Sequence, residues 1–302
     1  MTDNSMEFAF MSADKPTLKE FLAAPVEEIV PYAPATMFWA VEGTRRSAAL
    51  AGFDILHKDE KWVTWSIQRM LECAGILFQH GVRHVMMPYL HPSQFSEATP
   101  GYRENIIRWV SLLITNPAVK DALRNTGWRV RLIGDESELG DISKSIAEEM
   151  SPSSAHTLWF LVIEKEGALW QQVFDAVLRT GAHTLDDAIC AIYGEHIPQA
   201  TLLLSFGKPI VSTDQLPPLL IGKMNCYWSQ KPGYRLTERD FRTVLYDAAF
   251  IRKTWTENKL GRAELARKHQ DAWENGAILG LGVRLGPHWY PAPYSAPIST
   301  GS

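Results

Sequence analysis

Short apolar runs alternate along the chain with longer segments of helical periodicity. The runs predict five buried strands, at residues 37–41, 82–87, 129–133, 158–163 and 201–206. A helix is predicted between the first two strands, because its apolar residues recur every three or four positions: Val63, Ile67, Met70, Leu71, Ala74, Leu77 and Phe78. We expect this helix to end at His80 and Gly81, since glycine is common just beyond a helix C-terminus.

Three further helices are predicted at residues 169–179, 185–193 and 239–254, with Thr237 as the N-cap of the last. Strands that alternate with helices indicate a single-domain α/β fold, in which helices flank a mostly parallel central sheet. Ligands of such sheets bind beyond the carboxyl ends of the strands. The residues that directly follow each strand are therefore the candidates for a functional site.

Composition and charge exclude several classes of protein. The 302 residues are 46% hydrophobic and 21% charged, with a formal net charge of −4. This apolar fraction is too high for a disordered chain, and no apolar run approaches the roughly 20 residues of a membrane-spanning helix. A cationic stretch followed by an apolar core, typical of a secretory signal, is also missing from the start. Because a slightly acidic chain is a poor general binder of phosphate backbones, we expect no nucleic-acid partner.

The cysteines, the end of the chain and the tryptophans each add an expectation. Cys73, Cys190 and Cys226 are widely spaced and form no Cys-x-x-Cys pair, which predicts reduced thiols in a cytoplasmic protein. We expect one domain over residues 1–302, with a proline-rich segment at 286–302 as an extended tail or an arm over a neighbouring molecule. The 11 tryptophans indicate aromatic surface that must serve as core, interface or pocket.

The segment after the first predicted strand carries the chemistry. Glu42 ends the strand, Gly43 and Thr44 form a turn, and Arg45 and Arg46 open a short helix. Turn amides and paired guanidinium groups suit a phosphate or a diphosphate. A carboxylate beside a diphosphate is favourable if Mg²⁺ bridges the two, since Mg²⁺ prefers one or two carboxylates together with phosphate oxygens. An ordinary strand-to-helix turn with surface arginines is the alternative.

Other catalytic signatures are missing from the sequence. It contains no GxxxxGK[ST] and no GxGxxG, which argues against a P-loop and a dinucleotide site. Neither a GxSxG nucleophile elbow nor an HExxH zinc motif is present. Asp186 and Asp187 lack a third acid and are interpreted as solvated helix surface.

The segment Glu42-Gly43-Thr44-Arg45-Arg46 resembles the Asp-Gly-Asn-x-Arg-Trp-Ala signature of the cis-prenyltransferases, the undecaprenyl diphosphate synthase fold. Residues 81–91 and 128–135 resemble the second strand with its Phe-Ser loop and the third strand of that family, so the resemblance covers about residues 35–255. A divergent branch, that of the tuberculosinol and kolavelool synthases, is more similar still. Its first motif reads Asp-Gly-Thr-Arg-Arg-Trp, and residues 216–223 and 234–247 also resemble it.

The resemblance implies a donor site for one allylic diphosphate and the loss of the acceptor site used for chain elongation. Chain-elongating members hold isopentenyl diphosphate with Arg-x5-Arg-x-Ser and a Glu. Here no arginine occurs between Arg179 and Arg235, and Asn225 stands at the Glu position. Glu42 replaces the family's Asp as Mg²⁺ ligand or base, Arg45 and Arg46 bind the diphosphate with Gly43 and Thr44, and a homodimer is implied.

The expected activity is that of a Mg²⁺-dependent diterpene synthase. Such an enzyme removes diphosphate from a bicyclic C20 allylic diphosphate of halimane or clerodane type and quenches the cation with water to a tertiary allylic alcohol. Trp62, Trp65, Tyr89 and Leu90 are the expected pocket residues, with core or dimer packing as the alternative for each tryptophan. Transfer of the same prenyl group to a nucleophile such as adenosine stays open, as does a non-catalytic partner subunit.

Overall fold

A single six-stranded sheet forms the centre of the protein. The computed structural model describes residues 15–54, 61–98, 100–134, 154–252, 261–276, 278–286 and 288–292. The sheet consists of β1 (Thr36–Ala40), β2 (His84–Leu90), β3 (Arg129–Gly134), β4 (Thr157–Val162), β5 (Ala200–Phe206) and β6 (Ile221–Ser229). Its order is β3-β4-β2-β1-β5-β6, and every neighbouring pair is parallel. The predicted α/β class with a mostly parallel central sheet is thereby confirmed.

Five of these strands match the predicted ones, and β6 was not predicted. It pairs only with β5, at the edge of the sheet, and all nine of its residues are at least partly exposed to solvent. Gly222, Lys223 and Asn225 interrupt its apolar character. An edge strand need not be continuously apolar, because only one side of it is covered.

The helices lie on both faces of the sheet. In chain order they are α1 (Leu18–Ala23), α2 (Val26–Ile29), α3 (Thr44–Leu50), α4 (Lys61–Gln79), α5 (Pro92–Phe95), α6 (Tyr102–Thr115), α7 (Pro117–Asn125), α8 (Ala168–Thr180), α9 (Leu185–Tyr193), α10 (Glu238–Tyr246), α11 (Arg262–Lys268) and α12 (Gln270–Glu274). The predicted helices correspond to α3, α4, α8, α9 and α10, whereas the longer helices α6 and α7 were not predicted.

The helix ends follow the expected local chemistry. Gly81 is the second residue after the end of α4 and has φ +99°, a backbone conformation that glycine adopts without steric cost. At the start of α10, the Thr237 hydroxyl accepts from the Asp240 amide, and the Asp240 carboxylate accepts from the Thr237 amide. This helix becomes a π-helical turn at Asp247–Ile251, so it is shorter than predicted, and residues 253 and 254 lie outside the described residues.

Two apolar layers hold the helices to the sheet. Met37 and Trp39 of β1 face the layer that also contains buried residues of α4, α6, α7 and α10. Phe38 and Ala40 face the opposite layer, which includes Leu169 of α8 and Ile189 of α9. Strands buried on both faces explain why their sequences read as continuous apolar runs.

The described part of the proline-rich end includes one strand of a second, small sheet. Residues His288–Pro291 form strand β8, which pairs antiparallel with β7 (Gly282–Leu285). Pro287 and residues 293–302 lie outside the described residues. Among the described helices, none combines the length and the apolar character that crossing a bilayer requires.

Candidate active site

A cavity of about 740 Å³ opens at the carboxyl ends of β1 and β2. Helices α3, α4 and α6 form its walls, and Gln215, Tyr234 and His288 reach it from later parts of the chain. Its position is the one expected for a ligand site of a parallel sheet. All five residues from Glu42 to Arg46 line the cavity. These are the residues at the end of β1 that the sequence predicts to carry the chemistry.

The turn between β1 and α3 is shaped by Gly43. This residue is the N-cap of α3 and has φ +74°, in the left-handed region. A Cβ at this position would lie 2.9 Å from Nη2 and 3.0 Å from Nε of Arg46. The Arg46 guanidinium group therefore lies against the turn backbone, in space that only glycine leaves free.

Glu42 is enclosed by two other glycines. Its carbonyl oxygen accepts a hydrogen bond of 2.9 Å from the Gly233 amide, and a side chain on Gly233 would strike Val41. The Glu42 Oε2 atom lies 3.4 Å from the position that a Cβ of Gly207 would occupy. The segment after β6 thus holds the Glu42 backbone, and the segment after β5 leaves room for its carboxylate.

Burial raises the pKa of the Glu42 carboxyl group, and the positive charge of Arg46 opposes that rise. The side chain still reaches solvent, because the cavity is open at its mouth. Surrounding protein atoms limit its hydration nevertheless, which disfavours the charged form. A carboxylate with a raised pKa is a better proton acceptor near neutral pH than an ordinary one.

Arg45 points to the opposite side of the cavity mouth, towards α6. Its Nη2 atom lies 3.4 Å from the Tyr102 hydroxyl and 3.8 Å from Oε2 of Glu97. The guanidinium carbon lies 5.2 Å from the centre of the Tyr102 ring, within the range of a cation–π contact. The Arg45 side chain is 51% exposed, so it is accessible to a ligand from solvent.

Aromatic rings line the wall between α4 and α6. Trp62 and Trp109 meet edge to face with ring centres 5.0 Å apart, and Trp109 meets Tyr102 in the same way at 6.4 Å. Tyr89 lies against Phe160 at 5.1 Å, and burial raises the Tyr89 pKa to about 12, which keeps its phenol neutral. Aromatic rings of this kind can stabilise a cation that lies over their faces.

The predicted pocket residues divide into two groups. Trp62, Tyr89 and Leu90 line the cavity. Trp65 is not among the described residues that line it, and its ring instead packs against Phe53 at 5.2 Å. Trp65 is therefore a packing residue of α4, the alternative that the sequence had left open.

Several lining residues escaped the sequence analysis. Tyr102, Ile106, Trp109 and Val110 of α6 recur at spacings of four, three and one, so helical periodicity over residues 102–115 could have identified them. Glu97, Gln215, Tyr234 and His288 have no such local signal. The topology of the chain brings them to the cavity from distant positions.

Asn225 and Lys208 lie in the part of the chain where the acceptor site is expected to be lost, and neither lines the cavity. Asn225 lies in the middle of β6, opposite Leu202, and is not among the described lining residues. Lys208 is exposed and also lies outside that set. Among the described residues that line the cavity, Arg45 and Arg46 are the only arginines or lysines.

The carboxylates of the cavity show which residue could hold the expected Mg²⁺ ion. Within the described parts of the chain, no group of three or more His, Cys, Asp or Glu side chains is placed to hold a metal ion. A Mg²⁺ ion held largely by phosphate oxygens needs only one or two protein carboxylates. Glu42, in the cavity wall beside Arg46, is a donor of the type that such a shared ion takes.

Comparisons with known proteins identify relatives of this chain. No family model matches the chain. The chain is 45% identical over 278 residues to (+)-kolavelool synthase of Herpetosiphon aurantiacus, covering 91% of this chain and 96% of that protein. It is 24% identical over 252 residues to tuberculosinyl adenosine transferase of Mycobacterium tuberculosis, covering 78% of this chain and 83% of that protein.

Two solved structures share the fold. Lavandulyl diphosphate synthase from Lavandula x intermedia, in complex with dimethylallyl diphosphate, superposes with a TM-score of 0.56 at 13% identity, covering 72% of this chain and 96% of that chain. A probable undecaprenyl diphosphate synthase from Campylobacter jejuni gives a TM-score of 0.53 at 12% identity, covering 71% of this chain and 94% of that chain. At these identities the two structures support the architecture alone.

Proposed function

The chain belongs to the family of (+)-kolavelool synthase, on the cis-prenyltransferase fold, and we propose that it is a diterpene synthase. Its substrate is a bicyclic C20 allylic diphosphate of halimane or clerodane type. The enzyme releases the diphosphate and captures the resulting cation with water, which gives a tertiary allylic alcohol. One observation carries this proposal: a single cavity joins a mouth with two arginines to a wall of aromatic rings.

Arg45 and Arg46 bind the diphosphate in this proposal. Guanidinium groups donate paired hydrogen bonds to phosphate oxygens, and these bonds strengthen as the leaving group gains negative charge. The backbone of Gly43 and Thr44 completes the turn that holds the two arginines. When the carbon–oxygen bond breaks, its electron pair leaves with the diphosphate, and the allylic carbon becomes the cation.

The aromatic wall stabilises this cation, and Glu42 accepts a proton. Trp62 and Tyr89 present their rings to the apolar part of the cavity, where the charge of the allylic system develops. Water attacks the cationic carbon through its oxygen and loses one proton as the alcohol forms. Glu42 takes that proton, a role that its raised pKa supports.

Holding Mg²⁺ is the alternative role of Glu42, because a carboxylate that binds the ion is not free to take the proton. The ion would supply positive charge that stabilises the departing diphosphate. The positive charge of Arg46 partly offsets the negative charge of Glu42. A homodimer, as the family resemblance implies, is part of the same proposal.

The test is a panel of allylic diphosphates, linear and bicyclic, incubated with the full-length protein and Mg²⁺. We expect diphosphate release with bicyclic C20 substrates and an alcohol product, and in H₂¹⁸O the product should carry the heavy oxygen. Absence of diphosphate release across the whole panel would contradict the enzymatic proposal and favour the non-catalytic partner subunit. Arg45→Ala and Arg46→Ala should each lower turnover by about 10²-fold, the usual effect of removing one such donor.

Transfer of the prenyl group to adenosine is the second candidate, because the chain is also related to tuberculosinyl adenosine transferase. The same assay with added adenosine separates the two reactions. A prenylated nucleoside in place of the alcohol would favour transfer, whereas an unchanged alcohol yield would favour capture by water.

A further inference from the structure

Arg45 is held by the segment that follows β2. Glu97 lies between α5 and α6, and its carboxylate is 3.8 Å from Nη2 of Arg45. Tyr102, the first residue of α6, places its hydroxyl 3.4 Å from the same atom and its ring beside the guanidinium group. The proposed function assigns the guanidinium groups of Arg45 and Arg46 to the diphosphate. In the structure, that of Arg45 already contacts a carboxylate and a phenol.

Several contacts hold the residues before Glu97 and next to Tyr102. At the start of α5, the Gln94 side chain accepts from the His91 amide at 3.0 Å. Arg103, next to Tyr102, lies over the Phe95 ring at 5.9 Å and pairs with Glu164 at 3.7 Å. The Glu164 side chain is only 7% exposed, so this pair ties the first turn of α6 to the end of β4. The helices on either side of Glu97 are therefore each held by side-chain contacts.

We propose that Glu97 is a displaceable counter-ion of Arg45. In the empty site it orients the guanidinium group and partly neutralises it, and the diphosphate of the substrate takes its place on binding. The inference rests on the proposed function, because the competing anion is the diphosphate of an allylic substrate. Glu97 acts through Arg45 and is thus a positioning residue.

The geometry supports exchange of partners. The Glu97 side chain is 33% exposed and the Arg45 side chain 51% exposed, and ion pairs in such surroundings are weak. A diphosphate carries more negative charge and more acceptor oxygens than one carboxylate, and it meets Arg46 as well. Tyr102 contacts the same guanidinium group through its ring and its hydroxyl, which allows Arg45 to change anions without leaving the mouth.

The experiment is calorimetric titration of the full chain with inorganic pyrophosphate, in the presence of a metal chelator. Glu97→Gln should lower the Kd of pyrophosphate about two- to fivefold, the factor that corresponds to an exposed ion pair. Glu97→Asp keeps the charge and should bind pyrophosphate as the wild type does. Glu104→Gln is the matched control, because Glu104 is an exposed residue in the first turn of α6 and its loss changes the net charge equally.

Steady-state kinetics supply a second readout. Glu97→Gln should lower the KM for the allylic diphosphate without raising kcat, since it frees Arg45 for ground-state binding. Equal or weaker pyrophosphate binding by Glu97→Gln would overturn the inference, and so would an equal gain in Glu104→Gln. Arg45→Ala tests the proposed function separately. If that variant binds pyrophosphate as tightly as the wild type, the diphosphate seat itself is wrong, whatever Glu97 does.

Discussion

The guanidinium group of Arg46 lies directly against Gly43, in the space that a Cβ at residue 43 would need. Such a Cβ would come within 2.9 Å of Nη2 of Arg46, and Gly43 has φ +74°. One glycine therefore sets two properties of the cavity mouth. It allows the sharp turn from β1 into α3, and it leaves room for the arginine beside Glu42.

Gly43→Ala should lower kcat/KM by about 10²-fold, because displacing Arg46 by roughly 1 Å misplaces a diphosphate ligand. Gly52→Ala is the matched control at the other end of α3. Gly52 also has a left-handed φ, +87°, but a Cβ there would meet nothing within 4 Å. Both variants should lose about 1–2 kcal/mol of unfolding free energy from backbone strain. Equal activity loss in both would show that strain, not the Arg46 contact, matters.

The pH dependence of turnover tests Glu42. A base must be deprotonated, so kcat/KM should fall as the pH drops through the raised pKa of Glu42, at a higher pH than for an ordinary carboxyl group. Arg46 lowers this pKa, so Arg46→Gln should move the acidic limb of the kcat/KM profile to higher pH. Glu42→Gln should lower kcat by about 10²-fold and remove the limb. An unchanged limb in Glu42→Gln would assign it to another group.

The site was predictable where its geometry is local. Residues 42–46 follow one buried strand, so their order along the chain already places an acid and two arginines at one strand end. The contact between Glu97 and Arg45 at the cavity mouth was not predictable, because the two residues meet only after β2 has paired with β1. Trp62 and Trp65 illustrate the same limit on a single helix, since the position of Phe53 decides which ring turns away from the cavity.

Trp62 and Trp65 provide a matched pair of variants. Leucine keeps apolar volume at either position and removes the π face. Trp62→Leu should lower kcat by about tenfold, because a cation–π contact in a desolvated site contributes about 1–2 kcal/mol. Trp65→Leu should keep nearly the wild-type kcat, although its packing against Phe53 is lost. Chemical denaturation controls for folding, and a larger kcat loss in Trp65→Leu would contradict the assignment of the wall.

His84 makes the stability of the sheet depend on pH. Burial lowers its pKa to about 4 from 6.5, and the nearby Glu195 opposes that change. Its Nδ1 accepts from Trp159 Nε1 at 3.3 Å. Between pH 6.5 and 4 the unfolded chain binds a proton that the folded chain excludes. The free energy of unfolding therefore decreases as the pH is lowered through this range, by up to about 3 kcal/mol. In urea titrations, His84→Asn should flatten this slope, and an unchanged slope would contradict it.

Isopentenyl diphosphate should not be incorporated into product. A second diphosphate needs its own cationic partners, and Arg45 and Arg46, the only arginines or lysines among the described lining residues, already serve the first. Asn225 is held in β6, away from the cavity. Radiolabelled isopentenyl diphosphate, added with a C20 allylic diphosphate, should therefore yield no longer prenyl chain, while a chain-elongating synthase assayed in parallel incorporates the label. A labelled C25 product would contradict the loss of the acceptor site and require cationic partners from elsewhere in the chain.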